Sequence, residues 1–426
     1  MMNTPFEIKE RRPRAVHFGP GNIGRGFIGL RLSRSGYDVC FVSRNEKQVA
    51  MLKSRGGYPV YIAGGDPEML EVDNISAVHA RNTDAVARRI VEAALVTTAV
   101  GASNLKDIAA TIARGIVLRM QHTDEPLHII ACENAVGAST KLKKWVFKHL
   151  PADLHDQAHR QIAFPDSAID RIVPTKKHDD PLAVTVEPYY EWAIDRSAII
   201  MEGSLPEIEG ALYVDSLLPF IERKLFTVNT GHAAAAYFGY LAGHKTIQQT
   251  MADPALLRRV RLVMQETGKM LAKKHNLDET NHQKYIHKIL ERFANPQLID
   301  EVVRVGRSPI RKLSPGDRLI KPLMLAYDMG METTDLISAI AAAMLFDPKL
   351  DQEASRLQAD LRQQGVQHVI RTYFEIPSTH PLHQKIAARY REYVQKYRLA
   401  KVDALPSSFA AGQVATVSGF SKNAEA

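Results

Sequence analysis

The sequence predicts an α/β protein, with an N-terminal Rossmann-type parallel sheet followed by a mainly α-helical C-terminal domain. Three observations carry that expectation. Short apolar runs alternate with helical stretches from Ala15 to about residue 205, as in a parallel sheet covered on both faces. From Pro206 onward strand signals nearly vanish and helical periodicity takes over. Where the first apolar run meets the first helix stands a glycine-rich loop, Gly19-Pro20-Gly21-Asn22-Ile23-Gly24.

The elements follow in order. Residues 1–13 are polar and charged and form a basic leader. Ala15–Gly19 (AVHFG) reads as a strand and Ile23–Gly36 as a helix. Asp38–Ser43 (DVCFVS) is the second strand and Glu46–Arg55 the second helix. Ala94–Gly101 and Leu127–Asn134 are further buried strands, with a helix over Leu105–Arg119 between them. Leu182–Val186 and Ala198–Met201 either extend that sheet or cover it. Helices are then expected over Ser216–Leu225, Ala233–Leu241, Pro254–His275, Asn281–Phe293, Asp335–Phe346, Leu350–Gln364 and Leu382–Tyr397. The stretch from Ala404 is rich in Ala, Ser and Gly without periodicity. The expected organisation is therefore a leader (1–13), a dinucleotide-binding domain (14–205), a helical substrate domain (206–400) and a disordered tail (401–426).

Composition narrows the function. With 426 residues, 45% hydrophobic and 24% charged, the chain is neither collagen, coiled-coil rod nor wholly disordered. A net charge of +8 suits anionic partners, although Arg11, Arg12 and Arg14 concentrate part of it in the leader. Cys40 and Cys132 lie far apart in apolar runs, which suits buried thiols in a reducing compartment rather than a disulfide. Neither C-x-x-C nor H-E-x-x-H occurs, so no metal site is expected. The N-terminus lacks a signal-peptide core, and Ile340–Phe346, the longest apolar stretch, is too short to span a bilayer. A cytoplasmic protein with no membrane partner is expected.

The glycine loop fits G-x-G-x-x-G and stands after a strand and before a helix, the context its mechanism requires. The first glycine makes the turn, the second admits a pyrophosphate, the third lets helix and strand pack, and N–H groups at the helix start hold the phosphates. The second strand of such a fold ordinarily ends in a carboxylate that bonds the ribose 2′-hydroxyl. Here it ends in Ser43 followed by Arg44. A hydroxyl beside a guanidinium accepts a 2′-phosphate that a carboxylate would repel, so the pair favours NADP and leaves NAD open.

In the second half, Lys224, Asn229 and His232 fall within nine residues of ERKLFTVNTGHA. In a continuous α-helix they would lie at about 0°, 140° and 80° around the axis, on a common flank. Thr227, Val228, Thr230 and Gly231 weaken that assumption and allow a helix to begin near Asn229 instead. Further on, Arg307, Arg311, Lys312, Arg318 and Lys321 crowd fifteen residues around the turn Ser314-Pro-Gly-Asp. That cluster suits a phosphate, with Arg307 and Arg311 the first candidates.

The segments HFGPGNIGRGFIG, LVTTAVG, IIACEN, DSAIDRIVP, ERKLFTVNTGHA and VGRSPIRKLSPGDRLIKPL, in this order, closely resemble the long-chain polyol dehydrogenase family over roughly residues 14–350. The resemblance implies metal-independent hydride transfer, here between D-mannitol 1-phosphate and D-fructose 6-phosphate; a monomer or homodimer is expected. It implies Lys224 as general acid/base and Asn134 and Asn229 as the amides that polarise the carbonyl. His232 matches an imidazole that contacts the sugar, and Asp170 an acid lining the substrate site. Ser43 departs from the family, many of whose bacterial members carry Asp there. Donors aimed at a carbonyl oxygen stabilise the alkoxide character that hydride transfer builds on it, and a desolvated lysine can pass the proton.

Two other readings stand beside this one. A relative acting on unphosphorylated polyols or hexuronates would not need the basic cluster. A non-catalytic dinucleotide-binding regulator, or a nucleic-acid binder exploiting the positive charge, would not need Lys224 with two amides, and the basic residues lack interleaved aromatics. The expected partner is a small sugar phosphate, with no nucleic acid.

Overall fold

Alternate residues of β1 (Arg14–Phe18) feed two different cores, because successive side chains of a strand point to opposite faces. Ala15 packs with Val39, Phe41 and Ile130 on one face; Val16 and Phe18 pack with Cys40, Val96 and Ile129 on the other. The computed structural model describes residues 12–64, 68–174, 178–200, 204–205 and 207–403, the last six by backbone alone. The expected leader as far as Arg11 and the tail from Ala404 lie outside the described residues.

After β1 come β2 (Asp38–Ser43), β3 (Tyr58–Ile62), β4 (Glu68–Val72), β5 (Ile75–His79), β6 (Leu95–Thr98) and β7 (Leu127–Ala131). They are followed by β8 (Ile162–Ala163), β9 (Ser167–Asp170), β10 (Val184–Val186), β11 (Glu191–Asp195) and β12 (Ala211–Val214). Six strands form a parallel sheet in the order β5-β2-β1-β6-β7-β8. Taken in chain order these are strands 3-2-1-4-5-6, the dinucleotide-binding arrangement, whose direction of growth reverses between β1 and β6. Phe18 pairs with Val42 on one side and Thr98 on the other, so Gly19 leaves the sheet at that switch point.

Two smaller sheets complete this half, β10-β3-β4 and β12-β11-β9. Val184–Val186 therefore does not extend the main sheet, as the sequence allowed, but pairs in parallel with β3. Arg196–Ala198 is a short 3₁₀ turn, and no strand is seen over the described part of Ala198–Met201. The expected α-helix over Ile23–Gly36 is also corrected. Gly24–Gly29 is a π-helix, and only Leu30–Arg34 continues as α. The wide turn is glycine-lined where it packs tightly: a Cβ on Gly26 would lie 2.6 Å from Val186 Cγ1, and one on Gly29 2.6 Å from the Tyr58 hydroxyl.

The chain resolves into two units, one reaching Lys224 and including Asn295–Ile299, the other formed by Leu225–Ala294 and the chain from Asp300. The second unit is helical among its described residues, around a core of Ala233–Phe238, Val260, Met264, Ile340 and Phe346. Its longest fully described helix, Pro254–His275, is set by local chemistry. Asp253 accepts the N–H groups of Ala255 (2.9 Å) and Leu256 (3.2 Å), proline opens the first turn, and Asn276 closes the helix at φ +51°. No helix among the described residues is long and apolar enough to cross a membrane.

Candidate active site

The glycine loop is shaped by what surrounds it. Gly19 has φ +94°, and a Cβ there would lie 2.5 Å from Ala99 O, at the end of β6. A Cβ on Gly24 would collide with Gly19 O and lie 2.7 Å from His17 Nε2. His17 is fully buried and bonds Thr97 Oγ1 at 2.7 Å; burial lowers its pKa to about 3, so it sits neutral beneath the loop. Gly21 differs: a Cβ there meets nothing within 4 Å, so no protein packing demands glycine. Pro20 is buried, Asn22 exposed and Ile23 half-buried at the opening of the helix, where N–H groups have no intrahelical acceptor.

At the end of β2, Ser43 is buried and its hydroxyl is already engaged. It donates to Gln48 Oε1 (2.9 Å) and accepts the Asn45 N–H (3.1 Å). Gln48 Nε2 in turn donates to Pro20 O (2.9 Å), tying this loop to the glycine loop. Arg44 is exposed. His79, at the end of β5, accepts the Arg81 N–H at Nδ1 (3.3 Å), so its Nε2–H donates to Arg44 O (3.1 Å).

Lys224 and Asn134 meet. Lys224 Nζ donates to Asn134 Oδ1 (2.9 Å) and to Ile169 O (2.7 Å), next to the buried Asp170 at the end of β9. With Oδ1 turned to the lysine, Asn134 presents its amide N–H groups elsewhere. Its place is fixed by Glu133, which accepts from Thr98 Oγ1 (2.9 Å), Val100 N (2.9 Å) and Gly101 N (2.8 Å) and so binds the end of β7 to the loop after β6. Lys224–Asn229 is a π-helix, followed by the α-helix Thr230–Leu241, so the segment is not α-helical throughout. In an i→i+5 ladder, residues five apart, such as Lys224 and Asn229, lie closer around the axis than the roughly 140° that separates them in an α-helix.

In the second unit, His232 stacks on Phe293 (centroids 4.8 Å apart, planes at 16°), and its Nε2 is 3.5 Å from Asp300 Oδ2. Burial, then Arg304, Arg318, Arg292 and Lys312, lower its pKa to about 3, so the ring is neutral. Arg304 holds the Asp300 carboxylate at 2.5 Å. Lys312 is buried, donates to Arg307 O, and has a pKa lowered to about 7 by burial and then by Arg318 and Arg311. Asp317 pairs with Arg311 (3.0 Å) and Arg318 (2.7 Å), while Arg307 is exposed. Thr230 Oγ1 donates to Arg318 O (2.6 Å), linking the helix that carries His232 to the basic turn.

Residues 13–210 match the family described as Mannitol dehydrogenase Rossmann domain, and residues 216–414 match Mannitol dehydrogenase C-terminal domain. The chain belongs to the mannitol dehydrogenase family. Among its similar relatives, Mannitol-1-phosphate 5-dehydrogenase of Brevibacillus brevis is 47% identical over 378 residues, 88% of this chain and 97% of the relative. The enzyme of the same name from Anoxybacillus flavithermus is 48% identical over 370 residues, 86% of this chain and 97% of its own length. Solved structures share the mannitol dehydrogenase fold at low identity. A Pseudomonas fluorescens mannitol 2-dehydrogenase ternary complex with NAD and D-mannitol has a TM-score of 0.69 at 17% identity, covering 92% of this chain and 93% of that one. A substrate-free D-sorbitol dehydrogenase reaches 0.77 at 15%, covering 91% and 94%.

Of the residues expected from the sequence to carry the chemistry, Lys224, Asn134 and Asp170 gather around the end of β9. Of the basic cluster, Lys312 and Arg318, rather than the first candidates Arg307 and Arg311, are the members that lower the His232 pKa. Gln48, Glu133 and Asp300 were missed. An acid inside the apolar run IIACEN was a readable signal for Glu133; Gln48 and Asp300 offered none. Among the described residues, no three His, Cys, Asp or Glu side chains are arranged to hold a metal ion.

Proposed function

We propose that the chain is an oxidoreductase interconverting D-mannitol 1-phosphate and D-fructose 6-phosphate with a nicotinamide dinucleotide. The observation that carries this is the bond from Lys224 to Asn134, in a chain that spans nearly the whole length of relatives named for that activity. In the reduction, Lys224 gives its proton to the carbonyl oxygen; in the oxidation it takes the hydroxyl proton. Asn134 and Asn229 donate to that oxygen, and Asp170 and His232 bind sugar hydroxyls. A neutral imidazole suits this, since it offers one donor and one acceptor.

The glycine loop fits a dinucleotide because, of its three glycines, Gly21 alone opens to empty space, where a pyrophosphate can approach the backbone. Gly19, Pro20, Gly21, Asn22, Ile23 and Gly24 would hold it, and the bound nicotinamide supplies or accepts the hydride. NADP is favoured over NAD: β2 ends without a carboxylate, and the exposed Arg44 is the charge beside it. The substrate phosphate falls to the basic cluster, with Arg318 joining Arg307, Arg311 and Lys312 as candidates.

The deciding experiment crosses mannitol 1-phosphate, mannitol, fructose 6-phosphate and fructose with NAD(H) and NADP(H) in initial-rate assays. Turnover is expected with the phosphorylated pair. Lys224→Ala should keep the fold and cofactor binding while losing a factor of at least ~10² in kcat. Turnover of fructose equal to that of fructose 6-phosphate would favour a polyol dehydrogenase, and no nicotinamide oxidation with any of the four would leave a non-catalytic binder.

A further inference from the structure

Arg223 and Lys224 are chain neighbours, and they reach two adjacent strands of the small sheet β12-β11-β9. Lys224 Nζ donates to Ile169 O on β9 at 2.7 Å. Arg223 Nη2 donates to both carboxylate oxygens of Glu191 on β11, at 2.9 and 2.6 Å. The antiparallel register sets Glu191 opposite Asp170 and Trp192 opposite Ile169, so the two anchor points lie one position apart. Glu191 also accepts the Tyr189 hydroxyl (3.0 Å), and the Arg223 guanidinium lies over the Phe220 ring at 5.1 Å. The Arg223 and Glu191 side chains are only 23% and 14% exposed, so the pair escapes much of the screening that makes surface ion pairs weak. Trp192, next along β11, is fully buried, which gives Glu191 a rigid base.

We infer that Glu191 is a positioning residue: by clamping Arg223 to β11 it fixes the start of the π-helix and holds Lys224 Nζ against Asn134. A lysine tip on four methylenes has many rotamers, and a proton donor must be held within a fraction of an ångström to be efficient. The side-chain tether at Arg223 holds the backbone from which Lys224 extends, and the bonds to Asn134 and Ile169 then select the rotamer. The inference rests on the reading of Lys224 as the acid/base.

The test is steady-state reduction of fructose 6-phosphate by Glu191→Gln, Arg223→Gln, the double variant, and Glu191→Gln on a Lys224→Ala background. Each single variant should lose about tenfold in kcat, with KM for fructose 6-phosphate close to that of the parent and the protein still folded at the assay temperature. The double variant should be no slower than the slower single, because the clamp fails once. Arg223→Lys, which keeps the charge but not the contact to both oxygens, should be intermediate and supplies the comparison if Arg223→Gln does not fold. On Lys224→Ala, Glu191→Gln should change nothing further. A parental kcat in Glu191→Gln, or an equal loss with and without Lys224, overturns the clamp. A parental kcat in Lys224→Ala overturns the acid/base reading and takes the clamp with it.

Discussion

Lys312 is 4% exposed, and a lysine so far from water resists its own charge. Its pKa falls from the ordinary 10.5 to about 7, through burial first and repulsion from Arg318, Arg311 and Arg307 second, against the pull of Asp317. Between pH 7 and 10.5 the unfolded chain therefore binds a proton that the folded chain does not, and stability gains from this residue as pH rises through that window. Below pH 7 both states are charged and the full burial penalty remains. Lys312→Met should raise the melting temperature most below pH 7 and progressively less towards pH 10. A difference that stays flat across that range would show that Lys312 is not the titrating group. The same proton matters for ligand: a phosphate needs the ammonium, so KM for fructose 6-phosphate should climb as pH passes upward through 7 in the parent, and Lys312→Met should abolish the climb.

At the scale of elements, what was legible in the sequence was whatever hydrophobic periodicity reports. β2 and the helices Glu46–Arg55 and Pro254–His275 have the bounds their patterns suggest, because apolar runs and caps mark both ends. β4 was invisible because EMLEV is mostly exposed and carries two glutamates, and β8 because it is two residues long. Neither π-helix could be read, since an i→i+5 turn uses the same apolar residues as an α-turn and differs only in register. The end of β2 was read from residue type alone, which found Ser43 but not that its hydroxyl is spent on Gln48 and Asn45. That local bonding sharpens a prediction. A carboxylate in place of Ser43 can keep the Asn45 N–H but repels a 2′-phosphate, so Ser43→Asp should shift the ratio of kcat/KM towards NAD by about tenfold or more. Arg44→Ala should move it the same way, more weakly. A parent that strongly prefers NAD, with a ratio unmoved by Arg44→Ala, would show that the 2′-position is read elsewhere.

Over the whole molecule, Lys and Arg outnumber Asp and Glu by eight, and the candidate sites illustrate why the total says little by itself. Much of the positive charge is locally answered: Arg311 and Arg318 by Asp317, Arg304 by Asp300, Arg223 by Glu191. Exposed Arg307 and buried Lys312 stand out from that pattern, one reaching water and the other crowded by like charges. A dianionic substrate should feel both the long-range surplus and the local cluster, whereas a neutral sugar should feel neither. Raising ionic strength from 0.02 to 0.5 M, roughly from 20 Å to 4 Å in Debye length, should therefore lower kcat/KM for fructose 6-phosphate and leave that for fructose nearly flat. Substitution separates the two contributions. Lys312→Met or Arg311→Ala should raise KM for fructose 6-phosphate about ten- to a hundredfold if the side chain makes a charge-assisted bond to phosphate. An exposed arginine that only steers should cost far less, and its effect should vanish at high salt. Equal losses for fructose and fructose 6-phosphate in every variant would mean that the cluster supports the fold around His232 and takes no part in reading phosphate.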